Sequence, residues 1–175
     1  MTNVVSDPEV KGARATRQAN ALAERLEQGA RALAGFARGL TDVEWKKAPF
    51  ATDKRTVGVI VHHVASIYPI EIQVAQGIAN GDPVTGLTWD VVAGLNAGHA
   101  SENAAVTKEA ALDLLQRNSA AAAAAIRALS DEELARAVPV SLYGNAPLTC
   151  QFFLEDHAVR HSYHHLAKLQ AALTK

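Results

Sequence analysis

Seven histidines occur in this 175-residue chain, and four of them, His157, His161, His164 and His165, fall within nine consecutive positions near its end. Neutral imidazole is the commonest transition-metal ligand at physiological pH. On a helix, residues four apart stand above one another, about 6 Å along the axis, so His157, His161 and His165 share a face if this stretch is helical. Two neighbours in that row can chelate one ion at metal-to-nitrogen distances of roughly 2.0–2.1 Å. A third, another turn away, does not reach the same ion without distortion. A further ligand has to come from another element, and the adjacent pair His62-His63 is the source. Either cluster alone is more often structural than functional. Together they are harder to dismiss, because an inward-facing imidazole without a partner costs about 1–3 kcal/mol.

The elements that must position these groups are legible as helical stripes separated by clustered glycine and proline. The first runs from about Ala15 to Leu40, with Leu22, Leu26, Gly29, Leu33, Phe36 and Leu40 advancing in steps of four and three. Thr56 caps a second, whose stripe reads Ile60, His63, Ile67, Ile70 and Val74 and which ends near Gly81-Asp82-Pro83. Pro69 lies inside it and is expected to kink it. A shorter helix spans Thr88 to Ala100, and a longer one from Thr107 carries Leu112, Leu115, Ser119, Ala122, Ile126 and Leu129 on one face. Ser130-Asp131-Glu132-Glu133 starts a short helical turn, and Ala137 to Tyr143 suits a short extended piece. Gly144 to Pro147 reads as a loop, and Thr149 caps a final helix with Leu154, Ala158, His161, His165, Leu169 and Ala172 on one stripe. The predicted fold is all-α: one four-helix bundle domain over 1–175, with short extra helices in the connections and residues 1–10 flexible.

The stripes also choose among the histidines. His63 is in register with Ile60, Ile67 and Ile70, whereas His62 aligns with Val59, Ser66 and Pro69. His161 and His165 lie between Ala158 and Leu169 on the inward face. The expected metal ligands are His63, His161 and His165, with His157 either replacing one of them or supporting the site. Three neutral imidazoles suit zinc or nickel best and also accept iron or copper. They leave a four-coordinate ion one open position, as in catalytic sites. Metal affinity is expected to fall below about pH 6, where imidazole protonates.

Bulk composition bounds the rest. With 17 Lys and Arg against 18 Asp and Glu, the net charge is −1 and basic residues are scattered, so no nucleic-acid partner is expected. Met1 to Lys11 lacks the order of a secretory signal. The apolar stretch Val57 to Ile78 is interrupted by His62, His63, Pro69, Glu71 and Gln73, so no membrane span is expected. The lone Cys150 excludes an internal disulfide and fits a cytoplasmic setting. Val61, Val64 and Ile72 lie off the main stripe of the second helix. They face either a partner subunit, giving a homodimer, or other helices of the same bundle.

At these residues the chain resembles the DinB and YfiT-like superfamily of metal-binding four-helix bundles. The piece Arg55-Thr56-Val57-Gly58-Val59-Ile60-Val61-His62-His63-Val64-Ala65 is similar to that family's second-helix segment, in which a histidine followed by an apolar residue and alanine is the first ligand. His161-Ser162-Tyr163-His164-His165 is similar to the closing motif, whose first and last histidines complete the site. Ser130 to Leu134 matches a linker common in the family. The chain departs from the pattern at Asp53-Lys54-Arg55, where relatives often carry Trp, and at Pro69. Some relatives are transferases or isomerases that use small cellular thiols, and others look like hydrolases.

Three chemistries follow. In the leading one, an external low-molecular-weight thiol is activated at the metal and transferred to an electrophilic small-molecule substrate. Cys150 cannot substitute for that thiol, since it precedes His161 by eleven residues, about 16 Å of helix. The second is hydrolysis by metal-bound water, with Glu71, Glu155 or His157 as proton carrier. The third is a metal- or ligand-binding stress protein without catalysis. The loops from Asn80 to Thr88 and Pro139 to Pro147 are expected to shape the mouth of the pocket.

Overall fold

Threonine and serine set the starts of the helices. Thr16, Thr41, Thr56, Thr88, Thr107, Ser130 and Thr149 each sit in extended backbone and accept, on the side-chain hydroxyl, the amide N–H three residues on. In the computed structural model, which describes residues 15–174, these caps open α1 (Arg17–Gly39), α2 (Asp42–Lys46), α3 (Val57–Asn80), α4 (Trp89–Glu102), α5 (Lys108–Arg127), α6 (Asp131–Ala135) and α7 (Cys150–Leu154). A π-helical turn over Glu155–Val159 joins α7 to α8 (Arg160–Leu173) without a break. Thr41 and Ser130 form full capping boxes with Glu44 and Glu133. The expectation for residues 1–10 falls outside the described residues.

The four-helix bundle is present. Helix α1 packs on α5 and α8, and α3 packs on α5 and on the α7–α8 helix, so the four long elements enclose one core. Helix α3 is buried on two sides: Val57, Ile60, Val61, Val64, Ala65, Tyr68, Ala75 and Ile78 are all essentially inaccessible. That explains its composition. By length and apolarity alone α3 is sufficient to cross a membrane, and here its apolar faces are taken up by neighbouring helices. Val61, Val64 and Ile72 belong to this core, so the alternative in which they face a partner subunit does not hold.

Three close approaches fix the bundle. The indole of Trp45 lies against Gly58, where a Cβ would meet it at 2.6 Å, and its Nε1 donates to the Val106 carbonyl at 3.0 Å. Gly29 of α1 lies so close to α8 that a Cβ there would meet the Tyr163 ring at 2.8 Å and Ser162 Cβ at 3.2 Å. Arg127 of α5 forks both nitrogens onto Glu27 of α1, at 2.8 and 2.9 Å.

Pro69 leaves α3 unbroken. A proline cannot donate to the carbonyl four residues back, which is Ala65. Asn118 of α5 supplies the missing donor, its Nδ2 bonding the Ala65 carbonyl at 2.8 Å.

Two strands were not both foreseen. Ala137–Val140 is extended, as expected, but Ala146–Thr149 pairs with it as an antiparallel hairpin in the register Val138↔Leu148 and Val140↔Ala146. The presumed loop is therefore a two-stranded ribbon turned through Gly144 and Asn145, both at positive φ. Val84 bridges to it, and Ser141 ties down Leu87 through its hydroxyl.

Asn118→Ala should cost about 1–3 kcal/mol, the penalty of an unmet backbone carbonyl, and lower the thermal midpoint accordingly. In a Pro69→Ala background, where an amide N–H returns to the Ala65 carbonyl, the same change should cost much less. Equal costs in both backgrounds, measured by denaturant unfolding, would show that the two residues are not linked in this way.

Candidate metal centre

Helix α3 and helix α8 bring His63, His161 and His165 together. Ring centroids are 5.1 Å apart for His63 and His161, 5.6 Å for His63 and His165, and 5.0 Å for His161 and His165. Each can offer a nitrogen to a common centre, with the three atoms within 4.8 Å of one another. His63 is buried, while His161 and His165 are half-buried. The opposed helices are held at this level by Tyr68 and Ser162, both fully buried and bonded through their hydroxyls at 2.6 Å.

The tautomer of His161 is set by Glu71. The Glu71 Oε1 accepts from His161 Nδ1 at 2.7 Å, which puts the proton on Nδ1 and leaves Nε2 with a lone pair. That Nε2 lies 3.2 Å from His63 Nε2. Two ligands of a tetrahedral ion, each about 2.0–2.1 Å from it, stand roughly 3.3 Å apart. The spacing, the tautomer and the carboxylate on the far side of the ring all fit a divalent transition metal.

Burial sets the electrostatics. Desolvation, reinforced by the neighbouring imidazole of His161, lowers the His63 pKa to about 3 and that of His165 to about 2. Both rings are neutral at pH 7. In the folded chain they stay neutral well below the pH 6 anticipated from an ordinary imidazole.

Beside this centre opens a cavity of about 210 Å³. Its inner wall carries His63, Glu71 and His161, and the remainder is mainly apolar. Leu87 and Leu142 from the two expected loop regions line its rim, as do Trp89, Val92 and Leu95 of α4. The π turn places His157 on the same wall, stacked on Phe153 with centroids 4.3 Å apart. Tyr143 donates to Asp156 Oδ2, so its oxygen accepts from His157 Nε2 at 3.0 Å. The proton of neutral His157 is thereby held on Nε2. Burial lowers the His157 pKa further.

The other candidates are accounted for. His62 turns away from the triad, its Nδ1 2.9 Å from Nε2 of His99. His99, at the end of α4, was not singled out from the sequence, yet its ring lies 5.5 Å from that of His63. A lone histidine in a Gly- and Ala-rich helix gave no spacing signal. Glu155 pairs with Arg25 on the outside. Cys150 is buried, its thiol donating to the Ala75 carbonyl, with its pKa raised to about 11 by burial.

A family model for the DinB superfamily matches residues 25–169. The chain belongs to the DinB superfamily. Among solved structures it is similar to YfiT from Bacillus subtilis, with a TM-score of 0.70 over 96% of this chain and 93% of that one, at 18% identity. YfiT is described as a probable metal-dependent hydrolase with an unusual four-helix bundle topology. At that identity the likeness to YfiT carries the fold. No curated protein matches the sequence. The histidine pair of the closing motif and the histidine of the second-helix segment are the residues that this DinB bundle brings face to face.

Two outcomes are expected. Glu71→Ala should weaken metal binding about 10–100-fold in competition with a chelating dye, because the His161 ring loses its orienting acceptor. A variant binding as tightly as the parent would remove Glu71 from the site. On acid titration, metal release should coincide with loss of helical circular dichroism. The folded pKa values of His63 and His165 are depressed, so the stability this gives is present above about pH 6.5 and is lost as pH falls toward 3. Metal leaving near pH 6 with the helix signal intact would contradict that burial.

Proposed function

We propose that this DinB protein is a metal-dependent hydrolase whose ion is held by His63, His161 and His165. The observation that carries the reading is the convergence of three imidazole nitrogens, with His63 and His161 lining a cavity that also exposes His157. An ion so held supplies polarisation of a carbonyl and acidification of water, with zinc and nickel the first choices for three nitrogen donors.

The chain's own groups have separable tasks. Glu71 holds His161 in the ligating tautomer. The Tyr143 oxygen, with its proton given to Asp156, keeps the His157 proton on Nε2, and Nδ1 then has no hydrogen-bond partner among the described residues. His157 is therefore a base poised to take the proton released when water attacks, and to return it to the leaving group. Its lowered pKa keeps it in the basic form at neutral pH. Of the three proton carriers suggested by the sequence, Glu155 pairs with Arg25 and Glu71 is engaged in orienting His161, which leaves His157 on the cavity wall for that role.

Transfer from a small cellular thiol is the competing chemistry. Hydrolysis needs a base beside the centre to take the proton of attacking water, and His157 on the cavity wall offers one. That favours hydrolysis.

The metal-loaded protein should hydrolyse members of a panel of esters, lactones and amides without added thiol. His161→Ala should abolish the reaction, and His157→Ala should lower kcat about 10²–10⁴-fold while flattening the acidic limb of the pH profile. Turnover that appears only when a small thiol is added would replace hydrolysis with transfer. Metal binding without turnover on either panel would leave a non-catalytic metal-binding protein.

A further inference from the structure

Helix α4 is anomalous as a surface element. It has no fully buried residue, yet Trp89, Val91 and Leu95 are large, apolar and between 45% and 60% exposed. Amphipathic surface helices turn such groups toward a core. Here Trp89, Val92 and Leu95 instead turn toward the cavity, opposite Ile67, Ile70 and Val74 of α3. Ile70 is itself 50% exposed. Two apolar walls thus face each other with space between them.

Beside His63 and His161 the lining turns polar. Glu71 is 95% buried, and while its Oε1 is committed to His161, its Oε2 has no partner among the described residues. The cavity therefore has a polar patch at the imidazoles and Glu71 within walls that are mainly apolar, the Arg160–Asp156 pair, His157, His164 and Asn96 being its other polar groups. A ligand matching it has one polar head, directed at the imidazoles and Glu71, and an uncharged apolar body.

From this arrangement we infer that the substrate is a neutral carbonyl compound bearing an aliphatic chain or a single aromatic ring, with that body held between α3 and α4. The inference rests on the hydrolase reading for the fate of the head group, but the binding of the body does not. Size sets the scale: an apolar protein cavity of about 150 Å³ accommodates benzene. The 210 Å³ present here therefore accommodates a substituted ring or a chain on the order of eight carbons. Covering Trp89, Leu95 and Ile70 would be part of the gain.

Trp89 provides a reporter on the cavity, while Trp45, the other tryptophan, is buried against Gly58. The test titrates straight-chain 2-alkanones, from four to ten carbons, into full-length protein and follows tryptophan emission and heat. Affinity should rise about three- to fourfold per methylene, the usual increment for burying that group, and level off near eight carbons. An ω-carboxylate on the same chain should lose that gain. Val92→Glu, at a half-buried position of α4, should weaken the longer probes at least tenfold, and Val74→Phe should shorten the chain at which affinity levels off. His161→Ala should keep the chain-length dependence of binding, which separates this inference from the fate of the metal. A flat response to chain length overturns it. So does protein in which sedimentation shows a second copy closing the cavity and the alkanones excluded.

Discussion

The constraint that organises this protein is the pairing of two imidazole lone pairs in a place from which water is largely removed. His161 Nε2 and His63 Nε2 stand 3.2 Å apart, and in the neutral ring the first carries the lone pair because the carboxylate on the other side holds the proton on Nδ1. In water such groups would be satisfied by solvent. Inside a bundle, an unsatisfied acceptor costs about 1–3 kcal/mol, and two facing each other also repel. A cation between them turns both penalties into bonds. The depressed pKa values of His63 and His165 state the same fact electrostatically, because the site rejects a proton, a mobile cation that binds one ring, and is suited to a cation that binds three.

That pairing places demands on helices far apart in sequence. Ser162 next to His161 is tied to Tyr68 of α3, and Gly29 of α1 lets α8 approach closely from the opposite side. The π turn at Glu155–Val159 adds a residue's worth of rotation just before the ligand pair. π turns occur often at functional sites because they re-aim side chains without breaking a helix. Here the turn carries His157 and stands directly before Arg160 and His161, so His157 and the His161–His165 pair belong to adjoining windings of one helix. Asn118 does comparable service for α3: by capping the carbonyl that Pro69 orphans, it lets a proline sit in the turn before Glu71 without breaking the helix.

Much of the architecture could be read in advance because it is written in local chemistry. Helix starts were marked by threonine and serine caps, and the clustering of His157 to His165 marked a chelating face. The stripe Ile60-His63-Ile67-Ile70-Val74 was a sound guide to the site for a reason the pattern alone did not disclose. From His63 onward it is not the most buried face of α3 but the one that borders the cavity, while Val61, Val64, Tyr68 and Ile72 form the deeper face. A helix buried on two sides has no single apolar stripe, so periodicity ranks its faces poorly. What escaped was long-range. The strand Ala146–Thr149 contains Pro147 and depends on pairing with Ala137–Val140, the π turn has no recognised residue signature, and His99 reaches His63 only because α4 folds back over α3.

The imidazole patch and the apolar walls of the cavity also belong together physically. Field strength at a charged centre rises as water is excluded, so apolar walls beside the imidazoles strengthen whatever electrostatic work is done there. The walls of α3 and α4 exclude water only partly while Trp89, Leu95 and Ile70 remain exposed. An apolar ligand body would complete the exclusion at the moment its head reaches the centre. Binding energy from the remote part of a substrate would then improve the chemistry at the reacting part, which is how an enzyme converts burial into rate rather than into tighter ground-state binding alone. In that arrangement the exposed apolar face of α4 would be half of the insulation around the imidazoles, left for a ligand body to finish.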